Sequence, residues 1–401
     1  MNILVLNCGS SSIKFMLFQL PEKVVLAKGI IEKIGEAQPA IHYKRQDGVS
    51  KDDVLSIQNH EDALRVIFDY LTHSDGGVMK TVDEIDAVGH RVVHGGEEIQ
   101  DSSLIDDRFI EVVERLNVLA PLHNPHNLTG IKICRSLLPK TPNVGVFDTA
   151  FHSSLPDYAY MYALPYEWYE NYMVRRYGFH GTSHKYVSKR AAECIGQPIE
   201  KLKIITCHLG NGCSITAVKH GKSVDTSMGL TPMEGLIMGT RCGDMDPAIV
   251  AYMANHQDSN MSFGEIDKAM NKKSGLLGIS GVSNDMRELM AVKDTNPRAD
   301  LALKMTAYRL KKYIGSYAAA MDGVDCIVFT GGIGENSDYM REHSISGLEF
   351  MGVKLDLGKN FKLPSKECAI HTSDSRAQIW VIPTNEELVI AEDTYKIVKN
   401  K

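Results

Sequence analysis

The sequence predicts an α/β protein made of two similar halves, on three observations. Short apolar strand runs alternate with stretches at helical spacing. A strand–turn–strand layout near the start returns about halfway along the chain. At 401 residues the chain is too long for one ordinary core and suits two domains.

Taken in order, Ile3-Leu4-Val5-Leu6 is the first apolar run, Asn7-Cys8-Gly9-Ser10-Ser11 a polar turn, and Ile13–Phe18 resumes as a strand. This is a hairpin, not the strand–turn–helix of a dinucleotide or Walker unit. Lys203–His208, the turn Leu209-Gly210-Asn211-Gly212-Cys213, and Ser214–Val218 repeat the layout with one extra residue. Ala63, Val66, Ile67, Tyr70 and Leu71 keep helical spacing. Asn124-Pro125 reads as a helix start, with Asn as N-cap and Pro in the first turn, and Asp246-Pro247 repeats that signal before Ala248. Ala299 to Met321 reads as a long helix, and Val144–Phe147, Cys326–Phe329 and Ile379–Ile382 as buried strands. The chain closes on a helix start at Asn385-Glu386-Glu387. These elements predict a first domain of residues 1–150 completed by the C-terminal helix 385–401, and a second domain of residues 151–384.

Composition narrows the function classes. Apolar residues make up 43% and charged residues 23%, with a net charge of −6. No basic stripe and no acidic tail stands out, so a nucleic-acid partner is not expected. The start MNILVLNCGSSSIKF has no basic n-region or long apolar h-region of a secretory signal. No apolar run approaches the ~20 residues of a membrane span. Eight cysteines without a C-x-x-C pair read as reduced, mostly buried thiols of a cytoplasmic protein.

Phosphate loops need glycine, so that backbone can approach, and amide or hydroxyl donors. Asn7–Ser12, Gly210–Gly212 and Gly331–Gly334 qualify, and each follows an apolar strand. Any one alone is equally a plain tight turn; none fits a Walker or G-x-G-x-x-G pattern. Lys14 follows the first loop and suits a phosphate contact, or a solvated strand position. Arg91 in Gly89-His90-Arg91-Val92-Val93-His94-Gly95-Gly96 and Arg241 in Gly239-Thr240-Arg241-Cys242-Gly243 are flanked by small residues. Their planar forks suit carboxylate or phosphate, and a surface ion pair is the plain alternative. Asp148 and Glu386 follow apolar strands and are the acidic candidates for Mg²⁺, or simply acids at helix N-termini. His90 and His94 have an i, i+4 spacing, but the strand-like Arg91-Val92-Val93 between them argues against a zinc pair. His180, in Gly178-Phe179-His180-Gly181-Thr182-Ser183-His184, is better placed for a phosphoryl oxygen.

At these residues the sequence resembles the acetate kinase family. The matching blocks run from Asn7–Phe15 through Gly89–Gly96, Asn124-Pro125-His126-Asn127, Phe147-Asp148-Thr149-Ala150-Phe151-His152, Gly178–His184, His208–Gly212, Asp225–Gly229 and Gly239-Thr240-Arg241 to Gly331–Asn336 and Pro383–Glu387. They span nearly the whole chain in family order.

The resemblance implies two ribonuclease-H-like domains of the actin-like ATPase superfamily, an active-site cleft between them, and a homodimer. It implies reversible transfer between ATP and acetate, giving ADP and acetyl phosphate, with Mg²⁺ (Mn²⁺ as a substitute). By motif match Asn7 and Glu386 would bind the metal. Lys14, the run His208, Leu209, Gly210, Asn211 and Gly212, the run Asp285, Met286 and Arg287, and the run Gly331, Gly332, Ile333, Gly334 and Glu335 would bind ATP. Arg91 would hold the substrate carboxylate, with Val93, Leu122, Phe179 and Pro232 around the acyl methyl. His180 and Arg241 would stabilise the transition state, and Asp148 is the family's designated acid/base residue.

A carboxylic acid near its reference pKa is already ionised at pH 7, so the nucleophile needs no base. Asp148 is therefore expected mainly to orient an arginine or metal-bound water. Three rival readings predict different behaviour: a propionate kinase with a wider pocket, a nucleotide-driven conformational ATPase on the same fold, and a metal hydrolase using His90 and His94.

Overall fold

The computed structural model describes residues 1–73, 75–121, 123–259 and 261–400. The chain forms two compact units, one of Met1–Ser153 together with the segment from Asn385 onward, the other of Ser154–Thr384.

The first unit holds an eight-stranded sheet in the order β5-β4-β3-β2-β1-β6-β8-β7. Its strands are β1 (Asn2–Cys8), β2 (Ser12–Gln19), β3 (Val24–Glu32), β4 (Ala40–Arg45), β5 (Ser50–Val54), β6 (Ala87–Val92), β7 (Ser103–Leu104) and β8 (Asn143–Phe147). Strands β1 to β5 form an antiparallel meander, whereas β6 and β8 run parallel to β1. The second unit repeats this plan in a six-stranded sheet, β11-β10-β9-β12-β14-β13. Here β9 (Lys203–Leu209), β10 (Cys213–Lys219) and β11 (Lys222–Thr226) are antiparallel. β12 (Cys326–Thr330) and β14 (Gln378–Val381) are parallel to β9, and β13 (Cys368–Ala369) closes the edge.

Both expected hairpins are present, Asn7 facing Lys14 in the first and His208 facing Ser214 in the second. The α/β class follows from the same pattern that predicts it. Alternation along β1 sends Leu4, Leu6 and Cys8 into one core and Ile3 and Val5 into another on the opposite face. The first core is covered by the amphipathic helix His60–Thr72, through Ala63, Leu64, Ile67 and Leu71. The second is covered by the last helix, Glu386–Lys399, through Ile390 and Ala391. That helix lies close over β6 because Gly89 has no side chain: a Cβ there would stand 2.5 Å from Thr394 Oγ1 and 2.7 Å from Ile390 Cγ2.

Three local expectations need correction, one of them at Asp246-Pro247, where Pro247 takes the N-cap position of the helix Ala248–Asn255 and Asp246 Oδ1 accepts from Ala248 N at 2.9 Å. The helix at Asn124 is present (Asn124–Leu137), but His123 takes the N-cap position. Asn124 instead exchanges hydrogen bonds of 3.1 Å with the backbone N–H and C=O of His94, which pins the loop after β6. Gly331–Gly334 is not an open loop: a short helix, Gly331–Asn336, starts directly after β12. Gly331 allows this with a left-handed φ of 75°, in a place where a Cβ would meet Leu209 O at 2.7 Å. All eight cysteines are free thiols, six of them buried. Among the described residues, no helix is long and apolar enough to cross a membrane.

Gly89→Ala is expected to lower the unfolding free energy by about 1–3 kcal/mol through overpacking against the last helix. Combined with Ile390→Ala, which makes room, the loss in urea denaturation should be smaller than the sum of the two single losses.

Candidate active site

In each sheet the parallel strands end their C-termini on the same side, and that edge collects the polar residues. In the first unit Asn7 ends its side of β1, Arg91 lies near the end of β6 and Asp148 follows β8. Arg91 Nε donates to Asp148 Oδ1 at 3.0 Å and Arg91 Nη2 to Asp148 Oδ2 at 2.5 Å, a two-pronged pair. Asn7 Oδ1 stands 3.5 Å from Arg91 Nη1. Asp148 holds the guanidinium above its ordinary pKa, so Arg91 stays charged despite partial burial. Asp148 and Arg91 are thus held as a pair.

Glu386 is the first residue of the last helix, capped by Asn385, whose side chain accepts from Leu388 N at 3.1 Å. Its carboxyl is pushed up to about 7, first by burial; Asp148 and Glu387 add to the rise, and Arg91 and Lys14 oppose it. Three carboxylates therefore face two cations here. That excess of negative charge, with the oxygen donors of Asn7 and Glu386, fits a hard divalent cation completed by phosphate and water. It does not form a dedicated cage, and no cluster of three or more His, Cys, Asp or Glu able to hold a metal occurs among the described residues. Val93 is buried, its N–H bonded to Asn127 Oδ1 at 3.2 Å. Leu122 lies outside the described residues. His90 is buried with Nε2 2.6 Å from Asn143 Oδ1, and burial lowers it to about 4. Its ring is a structural part of the sheet.

The second unit assembles another group. His180 adopts a left-handed backbone (φ 57°) just before the helix Gly181–Ile195, a conformation that costs a non-glycine residue about 1 kcal/mol and clusters at functional sites. Its Nδ1 lies 2.9 Å from Ser214 Oγ, and its ring stacks on His208 with centroids 4.3 Å apart. His208 in turn lies 2.8 Å from Ser183 Oγ. A Cβ on Gly212 would stand 3.4 Å from His180 Cε1 and 3.8 Å from Arg241 Nη1, so hairpin turn, imidazole and guanidinium converge. Arg241 Nη1 reaches Pro232 O at 3.4 Å, and no carboxylate among the described residues lies within ion-pair range of it. Burial lowers its pKa, the direction expected of a desolvated cation without a counter-ion. Phe179 is buried beside His180 in sequence.

A cavity of about 820 Å³ opens beside this group, lined by Gly210, Asn211, Asp285, Met286, Arg287, Gly332 and Ile333. It is further lined by Asn284, Met290, Asn336, Ser337 and Asp338, which sequence reasoning did not single out as ligand contacts. Asn336 closes the Gly331–Asn336 block and was the one visible signal; the others carry no pattern of their own. His208, Leu209, Gly331, Gly334 and Glu335 do not line this cavity. Leu209 is buried, and Glu335 Oε1 accepts from Gly331 N at 3.0 Å, bracing the turn. Asp285 caps the helix Met286–Val292 and pairs with Arg287 (Nη2–Oδ2 2.6 Å).

The model of the acetokinase family matches residues 2–392. The acetate kinase of Halothermothrix orenii is 55% identical over 401 residues, and that of Dictyoglomus turgidum 53% identical over 402, with 100% of this chain covered and 100% and 98% of those proteins. Among solved structures, Porphyromonas gingivalis acetate kinase superposes with a TM-score of 0.95 at 47% identity, and a propionate kinase from Francisella tularensis with 0.91 at 43%. Each alignment covers 99% of both chains.

A carboxyl whose folded pKa lies near 7 rather than 4.5 favours the fold while protonated. Its contribution is complete below about 4.5 and is lost as pH rises through about 7. Glu386→Gln is expected to remove that loss. The stability difference between variant and parent, from urea melts without metal, should grow in the variant's favour between pH 5 and pH 8 by on the order of 2 kcal/mol.

Proposed function

Because the chain belongs to the acetokinase family and is a kinase of that family, we propose that it transfers the γ-phosphoryl group of ATP to acetate, reversibly, giving acetyl phosphate and ADP. The observation that carries this reading is Arg241, a desolvated guanidinium with no carboxylate in ion-pair range among the described residues, converging with His180 on the Gly210–Gly212 turn. Charge on a transferring phosphoryl group spreads over its oxygens, and an undiminished cation beside it is what that transition state needs.

The remaining roles follow from the same chemistry. The cavity beside Gly210 and Gly332 takes the nucleotide. Arg91, oriented by Asp148, holds the acetate carboxylate with a donor that Asp148 leaves available. The carboxylate attacks as the anion, so no proton is removed from it and Asp148 acts by fixing Arg91. Mg²⁺, or Mn²⁺ in its place, would be held by Asn7 and Glu386 and would offset phosphate charge. By motif match Val93, Leu122, Phe179 and Pro232 would surround the acyl methyl. One methylene changes binding there by about 1–3 kcal/mol, so acetate over propionate is a preference.

A homodimer suits the exposed aromatic side chains of the second unit, Tyr158, Tyr166, Trp168 and Tyr172 in one stretch of chain and Tyr252 and Tyr308 in others. A cytoplasmic setting suits eight unpaired thiols. No partner of nucleic acid or membrane type is proposed.

With hydroxylamine as trap, acetyl hydroxamate should appear only when ATP and acetate are both supplied. Hydrolysis of ATP independent of acetate would instead support a conformational ATPase. Arg241→Ala should lower kcat/KM by about 10²–10³, as removal of a single transition-state donor does, and undiminished turnover would refute the assignment. Propionate should react with a kcat/KM lower by about tenfold or more.

A further inference from the structure

Two segments of the second unit carry the residues assigned to the substrate side. One is Tyr177–His180; the other runs from β11, which ends at Thr226, to the helix that starts at Ala248. The second contains Pro232 and Arg241 and has neither helix nor strand along its length. Backbone of that kind is placed by ties to its neighbours; at the Arg241 end these are backbone bonds, Gly239 N to Asn211 O (3.0 Å), Cys242 N to Met270 O (3.1 Å) and Ser274 N to Thr240 O (3.0 Å).

One side chain ties both segments. Arg176, immediately before Tyr177, donates through Nη1 to the carbonyls of Thr226 (2.8 Å), Ser227 (3.2 Å) and Met228 (3.3 Å), and through Nη2 to Glu234 Oε1 at 2.6 Å. The other carboxylate oxygen of Glu234 accepts the hydroxyl of Tyr162, whose oxygen accepts from Leu230 N at 3.0 Å. Beside this pair the backbones meet directly: Tyr177 N and Gly178 N both donate to Gly229 O, at 3.1 and 3.3 Å. Gly229 has no room for a side chain, since a Cβ would stand 1.8 Å from Glu234 Oε2. The guanidinium is 16% and the carboxylate 31% exposed, so the pair is largely shielded from water and salt. The Arg241 side chain, by contrast, has one weak hydrogen bond at 3.4 Å among the described residues, so its place is set by the loop that carries it.

We propose that Arg176, Glu234 and Tyr162 form a positioning clamp that holds the Phe179–His180 segment in register with the Pro232–Arg241 loop for phosphoryl transfer. None of the three touches the reacting atoms in this scheme. The proposal rests on the kinase reading above and deepens it, because it assigns alignment of the transition-state donors to a half-buried ion pair. A misplacement of about 1 Å in such donors costs on the order of a hundredfold in rate. The nucleotide cavity is lined by other segments, around Gly210, Asn284 and Gly332.

The parent enzyme is first assayed for acetyl hydroxamate; its absence would overturn the kinase reading and the clamp with it, whereas the variants below test the clamp alone. Glu234→Gln, Tyr162→Phe and Arg176→Lys are then measured with acetate and ATP varied separately. Asp322→Asn, in an exposed pair with Lys219, serves as the control and should match the parent. The clamp predicts a kcat lower by about 10–100-fold in Glu234→Gln, a few-fold lower in Tyr162→Phe, a raised KM for acetate in both, and a KM for ATP within about twofold of the parent. Arg176→Lys, which keeps the charge but not the fork, should recover part of the activity that Arg176→Ala loses. If Glu234→Gln does not fold, Tyr162→Phe decides, because it removes one hydroxyl and leaves the ion pair. Parent-like kcat and acetate KM in the folded variants, or equal losses in the acetate and ATP parameters, would overturn the proposal.

Discussion

Like charge is the constraint on which the site depends. Two unit charges of the same sign 4 Å apart repel by about 4 kcal/mol at an effective dielectric of 20. A carboxylate approaching a polyphosphate meets more than one such charge. Cations must be fixed before the anions arrive, because a flexible cation would lose its gain to ordering. The repeated sheet plan brings Asn7, Arg91 and Asp148 to the C-terminal ends of three parallel strands in the first unit, and the Leu209–Gly212 turn to the end of β9 in the second.

The two arginines satisfy that need in opposite ways. Arg91 extends from a strand and is fixed by its own counter-ion, so most of its charge is already answered by Asp148. Its planar fork is held at two corners, and in the proposed reaction the remaining edge would face the acetate carboxylate. Arg241 has no acid beside it among the described residues and keeps its full field, but it surrenders local support for that freedom. Support must then come from the backbone of its loop, which is braced by Arg176 with Glu234 and by Arg309 with Asp244. One arginine is oriented by an acid it touches, the other by an acid it does not.

The strands and long helices were legible because period and length determine them: Ile3–Leu6 and Cys326–Phe329 admit little but a buried strand, and Ala299–Met321 little but a helix. Finer assignments failed where tertiary partners decide. Asn124 has every local mark of an N-cap, yet the carbonyl and N–H of His94, thirty residues away, claim its side chain. Gly331–Gly334 looks like a loop because glycine is a poor helix former, but the close packing of Gly331 on Leu209 fixes the turn into a helix. Of the cavity wall, Asn284 and Met290 carry no spacing or composition signal, since recognition there is a matter of proximity in space. The Arg176–Glu234 pair was equally hidden: fifty-eight residues separate its members.

The last helix shows how one element can carry both stability and chemistry. Its apolar face completes the core over Ile3 and Val5, which fixes its axis against the sheet. Fixing the axis also fixes its first turn, and with it the carboxyl of Glu386 among Asp148, Glu387, Arg91 and Lys14. A helix N-terminus ordinarily favours a carboxylate, yet burial and the two neighbouring acids outweigh that preference here. The residual demand is for positive charge, and a proton or a divalent ion can each meet it. In the proposed metal site the two would compete for the Glu386 oxygens, so cation affinity there would fall as pH drops through about 7.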